Sequence, residues 1–120
     1  MAKDPVAREI IPLIDDAMAR NAWDEVYRLA LPHAEQGKDW AEHCIGTLYL
    51  CGFGVEQDLR KAVEYCERAV AHGSDGALQS LGVIYEVGGE SVPRNIELAH
   101  EYYARCKASG YIFGAPYFDD

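Results

Sequence analysis

One stretch of this chain returns in altered form, and that recurrence limits the possible folds more than any other feature. Gly46 to Gly73, GTLYLCGFGVEQDLRKAVEYCERAVAHG, comes back from Gly82 to Gly110. Gly46, Tyr49 and Gly52 reappear at a spacing of 36 as Gly82, Tyr85 and Gly88, and Ala41 as Ala77. Beyond the loop, Asp58, Ala62, Tyr65 and Gly73 reappear at a spacing of 37 as Asn95, Ala99, Tyr102 and Gly110, so one residue is inserted between the two halves. Small and aromatic positions are kept while the residues between them drift. Stacked units that bury one face against their neighbours require this pattern.

Within one unit the local chemistry predicts a helical hairpin. Asp39 with Glu42 three residues on has the form of a capping box, and Gly52 and Gly54 can end a helix by supplying positive φ. A first (A) helix over about 40–51 follows. Asp58 can cap a second (B) helix, in which Ala62, Tyr65, Cys66, Ala69 and Val70 fall on one face of a 3.6-residue period and Gly73 closes. Gly46 and Ala62 are the expected points of close contact between the two helices.

These residues resemble the Sel-1-like repeat family. Its unit carries an Ala, LeuGly, a Tyr, a GlyxGlyVal loop, an Asp, LysAla, a Tyr and a closing Gly. Ala41, Ile45 and Gly46, Tyr49, Gly52 to Val55, Asp58, Lys61 and Ala62, Tyr65 and Gly73 match it, and residues 40–111 are covered. The second copy keeps Leu81, Gly82, Tyr85 and Gly88 but has GlyGlyGluSerVal for the loop. The resemblance implies an all-α, short right-handed α/α solenoid of three hairpins used as a protein-binding scaffold, in a family whose members are rarely enzymes.

The first hairpin is expected over residues 5–38 as a degenerate repeat resembling a tetratricopeptide unit, followed by units at 39–74 and 75–110 and an aromatic tail at 111–120. Asp4 and Pro5 suit a helix start. Pro12 predicts a kink or a restart, and Asn21 a C-cap. Residues 22–36 read as a B helix ending at Gly37, with Pro32 bending or fraying its last turn and Trp23 as a core residue. The tail, YIFGAPYFDD, holds Tyr111, Phe113, Tyr117 and Phe118 and is expected to fold across the exposed end of the last repeat.

Composition narrows the chemistry. The chain has 120 residues and a net charge of −9, and the acidic excess divides evenly among residues 1–39, 40–75 and 76–120. Phosphate binding needs clustered Lys and Arg, so nucleic acid is excluded as an expected ligand. The N-terminus has no apolar signal core, and the run Ile45 to Val55 is too short to span a bilayer, which predicts a cytoplasmic protein without a membrane partner. Cys44, Cys51, Cys66 and Cys106 form no CxxC pair and are expected to be buried reduced thiols. His33, His43, His72 and His100 lack zinc spacing, so no metal or other cofactor is expected. There is no GxSxG, GxxxxGK[ST] or HExxH, and GFG at 52–54 is a helix-ending loop. No enzymatic activity is expected.

The tetratricopeptide resemblance implies that the A helices line the concave side and carry the partner. The implied contact residues are Arg8, Ile11, Asp15 and Met18 in the first unit, Trp40, His43, Thr47, Leu50 and Cys51 in the second, and Gln79, Val83, Glu86 and Val87 in the third. The expected function is an adaptor for another protein. Two alternatives stand beside it. One is an immunity protein or inhibitor that neutralises a basic toxin or effector, because complementary charge speeds association. The other is a homodimer or longer homo-oligomer built through the exposed end repeat and tail.

Overall fold

The computed structural model describes residues 4–111 and contains six helices with no strand among them. They are α1 (Pro5–Ala19), α2 (Trp23–Glu35), α3 (Asp39–Cys51), α4 (Leu59–Ala71), α5 (Gly76–Val87) and α6 (Ile96–Ala108). Each packs on the next in chain order, making three consecutive hairpins, and α3 also touches α5 directly. α3 sits at the centre of the stack. It buries Trp40, Ala41, Glu42, Cys44, Ile45, Gly46, Leu48 and Tyr49, because it has a neighbour on nearly every side.

The helix starts follow local capping. Asp4 is extended, and its Oδ1 accepts from the amides of Val6 at 3.0 Å and Ala7 at 3.3 Å. Asp58 accepts from Lys61 N at 3.0 Å and Asn95 from Leu98 N at 3.0 Å, so the two repeats start their B helices by the same device. Both also close the interhelix loop identically: Asp58 N donates to Tyr49 O and Asn95 N to Tyr85 O. The inserted residue is absorbed between these fixed points, where Gly89 N donates to Val92 O and Val92 is buried.

Three local expectations are corrected. α3 has no capping box: Lys38 is the N-cap without a side-chain bond, Asp39 is already helical, and the Glu42 side chain turns into the interior. At Pro12 the alternative of a restart is ruled out, since α1 runs through it; Pro32 lies within α2, which ends at Glu35. Both prolines are exposed, as are Arg8 and Arg28 one turn before them, so water reaches the turns where proline supplies no amide, which reduces the cost of an interior proline. Finally, Cys51 is exposed, unlike Cys44, Cys66 and Cys106, and all four are free thiols. The expected left-handed turns are present, with Asn21 at φ 58° after α1 and Gly52 and Gly54 at φ 72° and 74° after α3.

Inside each Sel-1-like unit the hairpin is pinned by tyrosines. Tyr49 stacks on Tyr65 with centroids 6.0 Å apart, and Tyr85 on Tyr102 at 5.9 Å. Arg68 lies over Tyr65 and Arg105 over Tyr102, a cationic lid that recurs at the spacing of 37. Between units the contacts are individual. Trp40 Nε1 donates to Asp4 Oδ2 at 3.0 Å, the Tyr27 and Tyr49 hydroxyls lie 3.2 Å apart, and Trp23 stacks on Phe53 at 4.5 Å. Trp23 is thus half-buried between turns rather than part of the deep core.

Candidate docking surface

α3 approaches α5 directly, with no comparable packing of α4 on α6, so the A helices of the second and third units lie on the closer side of their stack. Along this side, the A helices of the second and third units meet in a seam. Its tightest point is His43 Nε2, 3.0 Å from Ser80 Oγ. Burial with no charged partner pushes the His43 imidazole down to about 4. One and two turns further along the same helices come Thr47 and Leu50 on α3, and Val83, Ile84 and Val87 on α5. At the end of α5, Val87 is 68% exposed, one turn after the half-buried Val83.

The residues singled out in the sequence divide into three groups. Trp40 and Ile11 are buried, at 6% and 5% exposure, and serve packing: Trp40 holds α1 to α3 through Asp4 and lies against His33 with centroids 5.3 Å apart. Trp40 is therefore removed from any partner surface. His43, Thr47, Met18, Leu50, Gln79 and Val83 are half-buried. Thr47 donates to the His43 carbonyl in its own helix at 2.9 Å, Met18 and Leu50 pack against the core, and Gln79 Oε1 lies 4.0 Å from Cys106 Sγ on α6. Arg8, Asp15, Cys51, Glu86 and Val87 are exposed. Glu86 is held by Tyr103 Oη at 2.8 Å and accepts Arg94 Nε at its carbonyl.

Gly76, Ser80 and Tyr111 belong to the same seam and were missed in the sequence. A Cβ placed on Gly76 would lie 3.0 Å from His43 and 3.2 Å from the Tyr111 ring, a tight fit that both rings would have to yield to slightly. The signal was available in part, since Gly76 directly precedes the repeated Ala77. Nothing in the spacing showed that Tyr111 returns to α5.

No group of three or more His, Cys, Asp or Glu side chains that could hold a metal ion occurs among the described residues. No helix there is long and apolar enough to cross a membrane.

Six antiparallel helices in consecutive hairpins, with internally repeated staples, define an α/α solenoid. The Sel1 repeat model matches residues 44–74 and 77–111, more than half of the chain, and the protein belongs to the Sel1 repeat family. Repeats of this family serve in general as scaffolds for protein interaction and are typically non-enzymatic. Among solved structures, a Sel1 repeat protein from Oxalobacter formigenes matches with a TM-score of 0.67 and 30% identity, over 73% of this chain and 36% of that one. The c5321 protective antigen of uropathogenic Escherichia coli, which displays an SLR fold, matches with a TM-score of 0.65 and 27% identity, over 73% and 19%. Two Arabidopsis thaliana proteins, the ERAD-associated E3 ubiquitin-protein ligase components HRD3B and HRD3A, are each 34% identical, over 67% and 58% of this chain. The chain spans only 13% and 10% of their lengths.

Proposed function

We propose that this protein is a non-enzymatic adaptor that binds another protein across its A-helix side, at the open end of the α3/α5 seam. The observation that carries this is Val87, a large aliphatic side chain 68% exposed one turn after the half-buried Val83 on α5, with the half-buried Leu50 near the end of α3. An apolar cluster rimmed by polar groups on a soluble surface marks a contact. The plant relatives are named as components of a ligase, hence as parts of an assembly, which supports the same class of role.

A net charge of −9, with Asp15 and Glu86 exposed on the A helices, favours a basic partner, and a basic toxin or effector neutralised by this chain is the specific form of that idea. The test is capture from the native cell by the tagged full chain, wild type against Val87→Glu. Val87 is a cleaner probe than Leu50, which also packs on the core. The expected result is loss of a defined partner with an unchanged melting temperature, and weaker capture as salt rises. Undiminished capture by Val87→Glu would place the contact elsewhere. An acidic partner with salt-insensitive binding would remove the basic-partner form.

A further inference from the structure

The junction between the first and second hairpins carries an aromatic pair that the repeat itself does not call for. Trp23 opens α2, Phe53 follows the C-cap of α3, and their rings stack with centroids 4.5 Å apart. At the same place in the next junction stand Leu59, which opens α4, and Gly89, which follows the C-cap of α5; a Cβ on Gly89 would lie 2.8 Å from Leu59 Cδ1. One aliphatic side chain against bare backbone is therefore enough to join two hairpins here. The aromatic pair is also not sealed. Phe53 is 41% exposed, and the half-buried Trp23 lines a surface cleft of about 310 Å³ with Asp24, Glu25 and Arg28.

The chain covers its two tyrosine stacks with cations of its own, Arg68 over Tyr65 and Arg105 over Tyr102. Among the described residues no cation lies over Trp23 or Phe53, although indole is the aromatic face that holds a cation best. The charges in the cleft leave one carboxylate open. Glu25 is taken by Arg20 Nη2 at 2.8 Å. Asp24 is exposed and makes no hydrogen bond or ion pair among the described residues, even with Arg28, four residues on at a spacing that commonly pairs. We infer that this cleft takes an arginine side chain of a basic partner, its guanidinium laid on the Trp23–Phe53 stack and directed at Asp24, so that the partner supplies the cation this stack lacks. A planar guanidinium stacks on an aromatic face, which favours arginine over lysine. The source of that side chain rests on the basic-partner reading above; the cleft and its open carboxylate do not.

The probe is N-acetyl-arginine amide, titrated into the isotope-labelled full chain while the indole N–H signals are followed. Of the two tryptophans, Trp40 is held inside by Asp4 and serves as an internal reference. The expected result is a saturable shift of the Trp23 signal with that of Trp40 unmoved, and no shift with the citrulline analogue, which has nearly the same shape without the charge. Asp24→Asn and Phe53→Leu should each weaken binding roughly two- to fivefold, and Arg28→Gln should strengthen it, because Arg28 competes for Asp24. Absence of a saturable shift, an equal shift from citrulline, or shifts spread over the acidic surface would overturn the proposal. So would loss of binding in Arg28→Gln, which would assign the cleft to an anion. No partner is present in this experiment, so a silent probe removes this cleft and leaves the Val87 surface standing. A chain that binds the probe yet sheds no partner in Val87→Glu loses the Val87 surface alone.

Discussion

Glu42 Oε1 lies 2.7 Å from His72 Nδ1, and the glutamate is 1% exposed. The pair joins the end of the first turn of α3 to the C-cap of α4, and the His72 ring also lies near Gly37 in the turn before α3. A buried carboxylate that loses its partner is left with its desolvation unpaid. His72→Ala is therefore expected to destabilise the fold by roughly 1–3 kcal/mol, with about half of the His72 side chain being solvent-exposed and setting the lower part of that range. Urea denaturation of His72→Ala, Glu42→Gln and the double variant checks this. Additive losses would show that the two side chains act independently.

His43 gives a pH dependence with a defined sign. In the folded chain its imidazole titrates at about 4, against an ordinary 6.5. The unfolded chain takes up the proton first, so falling pH favours unfolding through the window from about 6.5 to 4. The contribution is complete above that window and lost at its lower end, roughly 3 kcal/mol in all. Asp39, raised by burial, acts in the opposite sense, because its folded form gains protons more readily. Comparing the pH profile of the urea midpoint between wild type and His43→Gln isolates the histidine. Superimposable profiles would refute the assignment.

The small residues at the hairpin contacts differ in tolerance. A Cβ on Gly46 would stand 2.8 Å from Cys66 Sγ and 3.4 Å from α4 backbone, and Cys66 is fully buried with no room to retreat. Gly46→Ala is expected to cost about 1–3 kcal/mol from overpacking, against a helix-propensity gain of up to about 1 kcal/mol. At Gly82 the obstacle is the Tyr103 ring, which is half-buried and can swing outward, at the loss of its bond to Glu86. Gly82→Ala should be the milder of the two in thermal denaturation.

The four thiols should react in two classes. Burial pushes Cys44 and Cys66 up to about 12 and raises Cys106 as well, so little thiolate is present and reagent has no access. Cys51 is also raised by partial burial, yet it is exposed. An alkylating reagent is expected to modify one cysteine per native chain, with the rest reacting only as the fold opens. Mass spectrometry of wild type and Cys51→Ser decides: a fast-reacting thiol surviving in Cys51→Ser would contradict the burial of the others.

The repeat made the hairpins legible, because capping residues, helix-ending glycines and the Gly46 contact are local signals that recur. Asp58, Asn95, Gly52 and Gly46 behave as their types and spacing require. Glu42 misled because a capping-box residue and a buried hydrogen-bonded residue look alike until the partner, 30 residues away, is placed. Trp40 misled for a related reason. It occupies an A-helix position implied by resemblance to carry a partner, and only Asp4 at the other end of the first hairpin shows that the indole is tied inside. Residues 112–120, where the remaining tail expectation falls, lie outside the described residues.

The arginine-covered tyrosine stacks, Tyr49 on Tyr65 and Tyr85 on Tyr102, each lie wholly within one hairpin. A gene segment encoding such a unit can be duplicated or lost without breaking its internal staple, so array length is free to vary in descent. The Glu42–His72 pair also lies within one hairpin but is not repeated: at the corresponding spacings the third unit has Leu78 and Ser109. A copy of the third unit would therefore bring the tyrosine staple without a buried carboxylate, and only a copy of the second would bring both.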